Sequence, residues 1–576
     1  MQLAFLEFTG YSENMKFARF SVLLFIFFVF YEIQKAEVVD FESLSKKFDK
    51  KRTYDVQHYK IKIEFDRGKK QVFGDVTIQL KPLEDGFSIV ELDAAGLEYR
   101  FVGFESEVAL RYEQKGEKLK IYLDRSYSNK ETISIRVVYS CRPKKGVYFV
   151  EAEKRNGYIR DAQIWTQNEP EEAHHWLPSY DFPDDKATSE QIITVLPDET
   201  VIGNGELLSV SESEGKKTFH YRMNVPHSVY LISFVVGKYV KLADFYRDIP
   251  LGFYVYPQTE WVVPKAFSKT KDMFRIFEQL TGMPYPFNKY DQTIVARFRF
   301  GGMENITATT LADTEIFAVN FLPNEIEDLV AHELAHSWFG NLVTCQNWAE
   351  LWLNEGFASF MEAAYRERMY GRKDYMRKIK EDAQRYFAYE RVNKNRHGLF
   401  NQLARPDDSI FNPIPYQKGS AFLHTLREQV GDAAFWKAVQ KYLQRHKFGN
   451  ARTSNLKRVF EEVSGQNLDW FFYQWVYMAG FPQVEVKPVY YKNRKRLEIT
   501  FTQKQTVEEL VPQAFILPLE IELQDSKGKK LEKIRLSKRT EKFSFKMVEK
   551  PQTIVIDPLN KQPLMLLKMQ SLETVN

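Results

Sequence analysis

The sequence predicts a multidomain α+β protein with a β-rich amino-terminal domain, a mainly helical middle domain and a carboxy-terminal β-sandwich. The chain has 576 residues, which is more than one hydrophobic core usually holds and favours about three or four domains. Hydrophobic residues make up 44% and charged residues 27%, as is typical of a folded protein. The period of the hydrophobic pattern changes twice along the chain, which predicts domains at 37–245, 246–480 and 481–576.

The two outer domains are predicted from alternating apolar and polar residues. In the amino-terminal domain the alternation runs from about residue 54 to about residue 240, with many turn signals, and is clearest at 59–65 and 76–80. After residue 480 the same pattern returns at 484–486, 497–501, 519–523 and 554–557. A small β-sandwich of roughly a hundred residues fits this tail.

The middle domain is predicted from a helical period that begins near residue 264. Its candidate helices are 265–280, 325–339, 356–369, 374–391, 418–430 and 433–446. Gly431-Asp432, Gly449-Asn450 and Gly465 separate the later ones.

Residues 1–36 are predicted to be a secretory signal peptide or an amino-terminal anchor. Lys16 and Arg19 precede an apolar run at 22–31, which is about half as long as a membrane-spanning helix. Met15 is an alternative start. A cleaved signal fits better, so we expect an exported protein of the periplasm, cell envelope or extracellular space, with membrane contact only if the segment stays as an anchor.

Charge and cysteine content exclude some classes of protein. The net charge of +4 gives no dominant field for nucleic acid, and the basic run at 527–539 is predicted to be a solvated strand edge. The two cysteines, Cys141 and Cys345, cannot form a disulfide framework, and we expect two separate buried thiols.

The most informative motif is His332-Glu333-Leu334-Ala335-His336, followed after eighteen intervening residues by Glu355. Residues four apart lie on one face of a helix, about 6 Å apart along its axis, so both imidazoles can reach one metal ion. Two His and one Glu are the ligand set of catalytic zinc sites that leave a fourth position to water, and Glu333 can take the proton of that water. The alternative is a structural His pair without metal, which would bury these polar groups unpaired at a high cost.

Flanking residues place the motif on a helix. Pro323-Asn324 can start and cap it, Glu327 stands where a capping box has its acidic residue, and Gly340 can end it. The metal motif is therefore predicted to lie in the helical middle domain.

In this setting the chain resembles the gluzincin aminopeptidases, the family of aminopeptidase N and leukotriene hydrolase. Gly301-Gly302-Met303-Glu304-Asn305 looks like the family's exopeptidase signature, usually written G-A-M-E-N, with Gly302 in place of Ala. Further matches lie at 166–169, 176–188, 226–237, 284–287, 336–344, 353–358, 416–419 and 471–475. The resemblance covers residues from about 54 to the end, with the order of the motifs kept.

The resemblance implies a fold and a set of site residues. The fold would be a β-rich saddle domain, a thermolysin-like catalytic domain and a β-sandwich, in a short form without the helical carboxy-terminal domain of larger relatives. The metal ligands would be His332, His336 and Glu355, holding one zinc ion per chain, with Glu333 as the general base. Tyr416 would donate a hydrogen bond to the oxyanion of the reaction. Substrate-binding residues would be Glu304, Glu169, Gly301, Gly302, Met303 and Asn305, with the two carboxylates binding the substrate's ammonium group.

The activity that the resemblance implies is that of a zinc metalloaminopeptidase, a hydrolase that cleaves the amino-terminal peptide bond with a zinc-activated water. Its partners would be peptides with a free amino terminus. One alternative is a zinc endopeptidase, against which Glu304 argues. The other is a non-catalytic peptide-binding scaffold of the same fold, against which Glu333 and the complete ligand set argue.

Overall fold

The computed structural model describes residues 40–155 and 158–576, so the predicted signal or anchor at 1–36 lies outside the described residues. The chain divides into two compact units, Met1–Lys47 and Phe48–Asn576. The first contains helix α1 (Phe41–Lys46), whose amino terminus is capped by the Asp40 carboxylate through the Ser43 amide at 3.1 Å. None of the helices in the described parts of the chain combines the length and hydrophobicity that a membrane span requires.

The amino-terminal part of the second unit is β-rich, as predicted. Its strands are β1 (Tyr54–Asp66), β2 (Gln71–Pro82), β3 (Phe87–Asp93), β4 (Leu97–Phe104), β5 (Arg111–Lys115), β6 (Lys118–Tyr127), β7 (Ile133–Cys141), β8 (Gly146–Val150), β9 (Glu153–Arg155), β10 (Tyr158–Arg160), β11 (Gln163–Gln167), β12 (Ala187–Val195), β13 (Thr200–Gly203), β14 (Glu206–Ser213), β15 (Lys216–His227) and β16 (Phe234–Gly237). A seven-stranded sheet has the order β14-β15-β12-β1-β2-β7-β4, and a four-stranded sheet the order β13-β16-β11-β8. Every second residue of β2 is buried, and so is every second residue of β1 on either side of a bulge between Val56 and His58, so the alternation in the sequence marks the face that packs into the core.

A five-stranded sheet opens the middle part. It contains β17 (Val240–Tyr246), β18 (Ile249–Val255), β19 (Tyr290–Val295), β20 (Gly302–Met303) and β21 (Ala308–Ala312), in the order β17-β18-β19-β21-β20. The first of these strands spans the predicted boundary at 245/246. The last in the sheet order, β20, is an edge strand and carries two residues of the exopeptidase-like signature.

The remainder of the middle part is mainly helical, as predicted. Its helices are α2 (Val263–Ala266), α3 (Thr270–Thr281), α4 (Asp313–Phe317), α5 (Pro323–Ala335), α6 (Trp352–Tyr370), α7 (Arg372–Val392), α8 (Gly419–Val430), α9 (Asp432–His446), α10 (Thr453–Ser464) and α11 (Asp469–Phe472). Two short strands, β22 (Val343–Cys345) and β23 (Gly449–Ala451), pair in parallel between them. The predicted helix at 265–280 is in fact two helices, since the chain leaves helical geometry at Phe267.

The carboxy-terminal part forms two sheets. Its strands are β24 (Gln483–Tyr491), β25 (Arg496–Gln503), β26 (Leu517–Asp525), β27 (Gly528–Leu536), β28 (Thr540–Lys546), β29 (Thr553–Ile556), β30 (Leu566–Met569) and β31 (Glu573–Val575). Most of the basic run at 527–539 lies on β27, an exposed edge strand of the three-stranded sheet β27-β26-β29, as predicted. Both cysteines are free and buried, as also predicted.

Candidate metal centre and substrate cleft

Helix α5 carries the first predicted metal ligand and the predicted base. It starts with Pro323 at its first position and ends at Ala335, so His336 is its carboxy-terminal cap residue. The predicted capping box is wrong: no side chain caps this helix, and the Glu327 carboxylate instead accepts hydrogen bonds from two tyrosines of α6, Tyr365 and Tyr370, at 2.5 and 2.7 Å.

The turn after α5 keeps both imidazoles on one side. The predicted last helical residue, Phe339, is four residues too late, because the chain leaves the helix through wider turns in which the Asn341 backbone amide donates to the His336 carbonyl at 2.9 Å. Gly340 itself has φ +126°, and a Cβ there would lie 3.0 Å from His336 Nδ1. Glycine is therefore required beside this imidazole.

The two imidazoles and Glu355 converge on one point. Glu355 Oε2 lies 3.2 Å from His332 Nε2 and 3.4 Å from His336 Nε2, and one ligand atom from each of the three residues lies within 4.8 Å of the others. The Nδ1 atoms point away: that of His332 donates to Glu362 Oε1 at 2.7 Å and that of His336 to the Phe339 carbonyl at 2.9 Å. With Nδ1 protonated, both Nε2 lone pairs face a carboxylate oxygen, an arrangement that a bound cation would satisfy.

The charges around this point support the same conclusion. Burial alone would raise the pKa of Glu355, but His336 and His332 lower it to about 2. Burial opposes a charge on His336, yet Glu304 and Glu355 raise its pKa to about 9. The centre therefore favours positive charge, which a divalent cation between His332, His336 and Glu355 would supply in place of protons.

A buried series of ion pairs holds the His332 imidazole through its Nδ1 atom. One carboxylate oxygen of Glu362, on α6, accepts a hydrogen bond from His332 Nδ1, and the other forms an ion pair with the Lys378 ammonium at 2.8 Å. Lys378 also pairs with Asp382 at 2.8 Å, whose second oxygen accepts from the Ser420 hydroxyl. These residues were not predicted from the sequence, although Glu362 stands seven positions after Glu355 and therefore on the same helix face.

Glu333 lies beside the ligands with one free oxygen. It is buried, and its Oε2 has no hydrogen-bond partner among the residues that the structure describes. Burial raises the pKa of Glu333 to about 8 against the opposing effect of His332 and His336. A Cβ on Gly302 would overlap Glu333 Oε1, so the carboxylate as it stands occupies space that a side chain at residue 302 would need.

Two further carboxylates, Glu304 and Glu169, approach the same point from the other side. Glu304 follows the edge strand β20 and is 3% exposed, with Oε1 3.7 Å from His336 Nδ1. Glu169 follows β11, and its ligand oxygen lies within 4.8 Å of those of Glu304 and Glu355. One oxygen of each, Oε1, lacks a hydrogen-bond partner within the described chain. Burial raises the pKa of both carboxyls, and Glu304 further raises that of Glu169.

Tyr416 stands over the first imidazole. It lies in a π-helical turn, Ile414–Lys418, and its ring stacks on that of His332 with centroids 5.9 Å apart. Turns of this kind are frequent at functional sites. Burial, together with Glu355 and Glu169, raises the pKa of Tyr416 well above its usual value, so its hydroxyl is a proton donor.

One cavity of about 730 Å³ joins most of the predicted site residues. Its walls include His332, His336, Glu355, Glu333, Tyr416, Glu304, Glu169, Gly301, Gly302 and Met303. Asn305 lies behind this wall, where its amide donates to the Thr310 hydroxyl at 3.1 Å. The cavity continues along the amino-terminal half of α5, past Leu329, and along α7, past Arg377, Glu381 and Arg385, and these three charged residues were not predicted from the sequence.

Known sequence families match most of the chain. The Peptidase M1 N-terminal domain matches residues 55–231, the Peptidase family M1 domain residues 265–475, and a domain of unknown function with an Ig-like fold, DUF3458, residues 480–564. These matches follow the β-rich, helical and β-sheet parts of the structure in order.

Individual relatives agree with these matches. Aminopeptidase N of Streptomyces lividans is 33% identical over 341 residues, which are 56% of this chain and 39% of the relative. Probable aminopeptidase 1 of Sulfurisphaera tokodaii is 27% identical over 450 residues, 75% of this chain and 54% of the relative. Glutamyl aminopeptidase of Bos taurus is 32% identical over 335 residues, 56% and 34% respectively. The aligned part spans between a third and just over half of these relatives' length. The matched domains show that the chain belongs to the M1 peptidase family.

Proposed function

We propose that this protein is a zinc-dependent aminopeptidase that hydrolyses the amino-terminal bond of peptides. The observation that carries the proposal is a single cavity in which a His-His-Glu centre and two buried carboxylates, Glu304 and Glu169, face each other. The M1 matches and relatives named as aminopeptidases support the same activity. Zinc suits this centre because two imidazoles and one carboxylate leave a position open for water.

The two carboxylates account for the preference for a free amino terminus. Buried carboxylate oxygens without hydrogen-bond partners are costly unless a ligand supplies a proton donor, and an α-ammonium group offers three. With the ammonium bound by Glu304 and Glu169, the first peptide bond is the one that reaches His332 and His336. The signature residues Gly301 and Gly302 leave the outer edge of β20 free of bulky side chains, so a peptide can lie along it as an added strand.

The remaining residues carry out the proton transfers. Zinc, when bound, would polarise the scissile carbonyl and make an adjacent water more acidic. Glu333 takes a proton from the attacking water and delivers it to the leaving amine. Tyr416 donates a hydrogen bond to the carbonyl oxygen as negative charge develops on it, a contribution worth a few kcal/mol of barrier.

A substrate panel tests this proposal. We expect the full chain to hydrolyse aminoacyl fluorogenic amides, to lose this activity in a strong chelator and to recover it with zinc. Peptides with an acetylated amino terminus should resist. Cleavage of blocked peptides would favour a zinc endopeptidase, and absence of hydrolysis by protein that contains zinc would favour a peptide-binding scaffold.

Export is a separate part of the proposal and is supported by the sequence of residues 1–36 alone. Amino-terminal sequencing of protein from fractionated source cells would test it. A new amino terminus near residue 36 in the exported fraction is expected for a cleaved signal, and intact protein in the membrane fraction would indicate an anchor.

A further inference from the structure

A second cavity adjoins the catalytic one at the amino terminus of α5. It measures about 780 Å³, and its walls include the basic side chains of Arg366, Lys373, Arg377 and Lys380, the acidic side chain of Asp374, and Asn324. We call this cavity the basic recess. Arg377 and Asn324 also line the catalytic cavity, so the two spaces share a wall.

The charges of the basic recess do not cancel. Arg366 pairs with Asp328 and with Asp374 at 3.0 Å, and Arg377 donates to Asp374 at 3.0 Å and to Glu381 at 2.7 Å, so these arginines are largely neutralised. Lys373 and Lys380 are exposed and form no ion pair with any described residue, and Arg377 Nη2 has no hydrogen-bond partner there either. The excess positive charge comes from these groups, and the amino-terminal ends of α5 and α7 add to it.

The basic recess lies on the leaving-group side of the catalytic cavity. Glu304 contacts His336, at the carboxy-terminal end of α5, whereas Asn324 is at the amino-terminal end of the same helix. If the substrate's ammonium is at Glu304, the peptide beyond the cleaved bond must extend toward Asn324.

The distance sets which part of the peptide can reach this recess. Asn324 precedes His332 by eight residues, which is about 12 Å along a helix that rises about 1.5 Å per residue. An extended peptide covers about 3.3 Å per residue, so the recess is about three or four residues beyond the cleaved bond.

We propose that the basic recess binds a carboxylate that the peptide substrate carries three or four residues after the cleaved bond. This inference rests on the proposed aminopeptidase function and specifies its substrate class. The carboxylate can be the carboxy terminus of a tetrapeptide or pentapeptide, or an acidic side chain at that place in a longer peptide. Lys373 and Lys380 attract it, and the unused Arg377 donor can hydrogen-bond to it.

The test compares peptides that share the amino-terminal residue and differ in length from two to eight residues, each as a free acid and as a carboxy-terminal amide. We expect kcat/KM to favour the acid by about five- to tenfold at four or five residues, with no preference for longer peptides. The preference should decrease between about 0.05 and 0.5 M salt, because exposed charges are screened. An octapeptide amide with Glu four residues after the cleaved bond, compared with Gln there, tests the side-chain source.

Matched variants separate the basic recess from general effects of charge. Lys373→Gln with Lys380→Gln should abolish the preference for acids, whereas Lys437→Gln with Lys538→Gln, two exposed lysines that also form no ion pair with described residues, should retain it. Both double variants should hydrolyse an aminoacyl fluorogenic amide at the wild-type rate, because that substrate has no peptide beyond the cleaved bond.

The outcomes distinguish the two proposals. Hydrolysis of the aminoacyl amide without any preference for acids, or a preference that survives Lys373→Gln with Lys380→Gln, overturns the inference and leaves the aminopeptidase proposal intact. If no substrate is hydrolysed, the aminopeptidase proposal fails, and binding of the pentapeptide acid and amide, measured by fluorescence anisotropy, still tests the recess. Equal affinity of the two peptides for the wild-type chain would overturn it.

Discussion

The two ends of the catalytic cavity handle charge in different ways. One end of the cavity is where we propose that a substrate's amino terminus binds, and we call it the amino-terminal-binding end. There Glu304 and Glu169 are buried, and each keeps one oxygen without a hydrogen-bond partner within the described chain. At the other end several charged residues are paired, as in Glu362 with Lys378 and Arg377 with Glu381, although Arg377 Nη2 has no hydrogen-bond partner within the described chain. Because unsatisfied buried groups are costly, those that face the cavity favour contact with a ligand, whereas paired groups hold other residues in place.

This difference predicts the sizes of mutational effects. Substitution of residues whose polar atoms lack a partner and face the cavity should affect catalysis and substrate binding most. Residues that are already satisfied should act through the residues they position, with smaller effects.

The largest effect is expected for Glu333→Gln, because Gln keeps the shape of the side chain but cannot accept a proton. We expect kcat to fall by about 10²- to 10⁴-fold with zinc content unchanged, measured by steady-state kinetics and metal analysis. Glu315→Gln, an exposed residue of α4, is the matched control and should keep wild-type kinetics. Full turnover by Glu333→Gln would refute the proposed base.

The next effect is expected for Glu304→Gln. Loss of one charged partner of the substrate ammonium should lower kcat/KM by about 30- to 5000-fold, since such charged contacts are worth about 2–5 kcal/mol. Inhibition by an amino acid amide should weaken in parallel, while inhibition by its analogue without the amino group should not change. Equal loss of affinity for both inhibitors would place Glu304 outside the ammonium site.

Much of this amino-terminal-binding end was predictable from sequence. His332 and His336 were predicted because helix geometry converts a spacing of four residues into a shared face, and Glu355 because it completes the two-His, one-Glu ligand set of catalytic zinc sites. Glu304 and Tyr416 required the resemblance to a family, since an isolated Glu or Tyr carries no local signal. The β-rich, helical and β-sheet order followed from the period of the apolar residues, which depends directly on which face is buried.

The other end was harder to predict because the contacts that place its residues beside the cavity join residues that are distant in sequence, as Glu362 and Lys378 do. The failed capping box shows the reason: Glu327 has the correct spacing from Asn324, but Tyr365 and Tyr370 offer its carboxylate better-placed donors. Lys378 and Arg377 likewise read as ordinary exposed residues of an amphipathic helix. Their positions beside the cavity arise only when α7 packs on α6.

A positioning role is predicted for Glu362, which holds the Nδ1 proton of His332. Glu362→Gln should weaken zinc binding by about 10- to 100-fold, as is usual for residues that orient a histidine ligand. The measurement is competition for zinc with a chelator of known affinity. Glu381→Gln, which removes a charge from the same cavity without contact to a ligand, should leave zinc affinity unchanged. If both variants bound zinc equally, Glu362 would not be a positioning residue.

The smallest effect concerns Lys186, which lies outside the cavity wall and contacts the turn that follows α5. Its Nζ donates to the carbonyls of Asn341 and Leu342 at 3.0 and 3.1 Å, and the Asn341 amide in turn donates to the Glu304 carbonyl at 2.8 Å. Burial lowers the pKa of Lys186 to about 7. The amino-terminal β part thus contacts the turn after α5 through a lysine to which no carboxylate of the described residues is bonded.

The pH dependence of stability tests this arrangement. A lysine in an unfolded chain has a pKa of about 10.4. Between pH 7 and about 10.4, therefore, the unfolded chain binds more protons at Lys186 than the folded chain does. The contribution of Lys186 to the free energy of unfolding therefore rises with pH across this window and is least favourable below pH 7. Lys186→Met removes this contribution. Between pH 7 and 10 the Tm of the variant, measured by calorimetry, should therefore rise by about 1–3 °C less than the Tm of the wild type. If Tm changed equally with pH in the two proteins, the carbonyls of Asn341 and Leu342 would keep Lys186 charged in the folded protein. Lys186 would then be a buried cation satisfied by its hydrogen bonds, in contrast to the unsatisfied carboxylates Glu304 and Glu169.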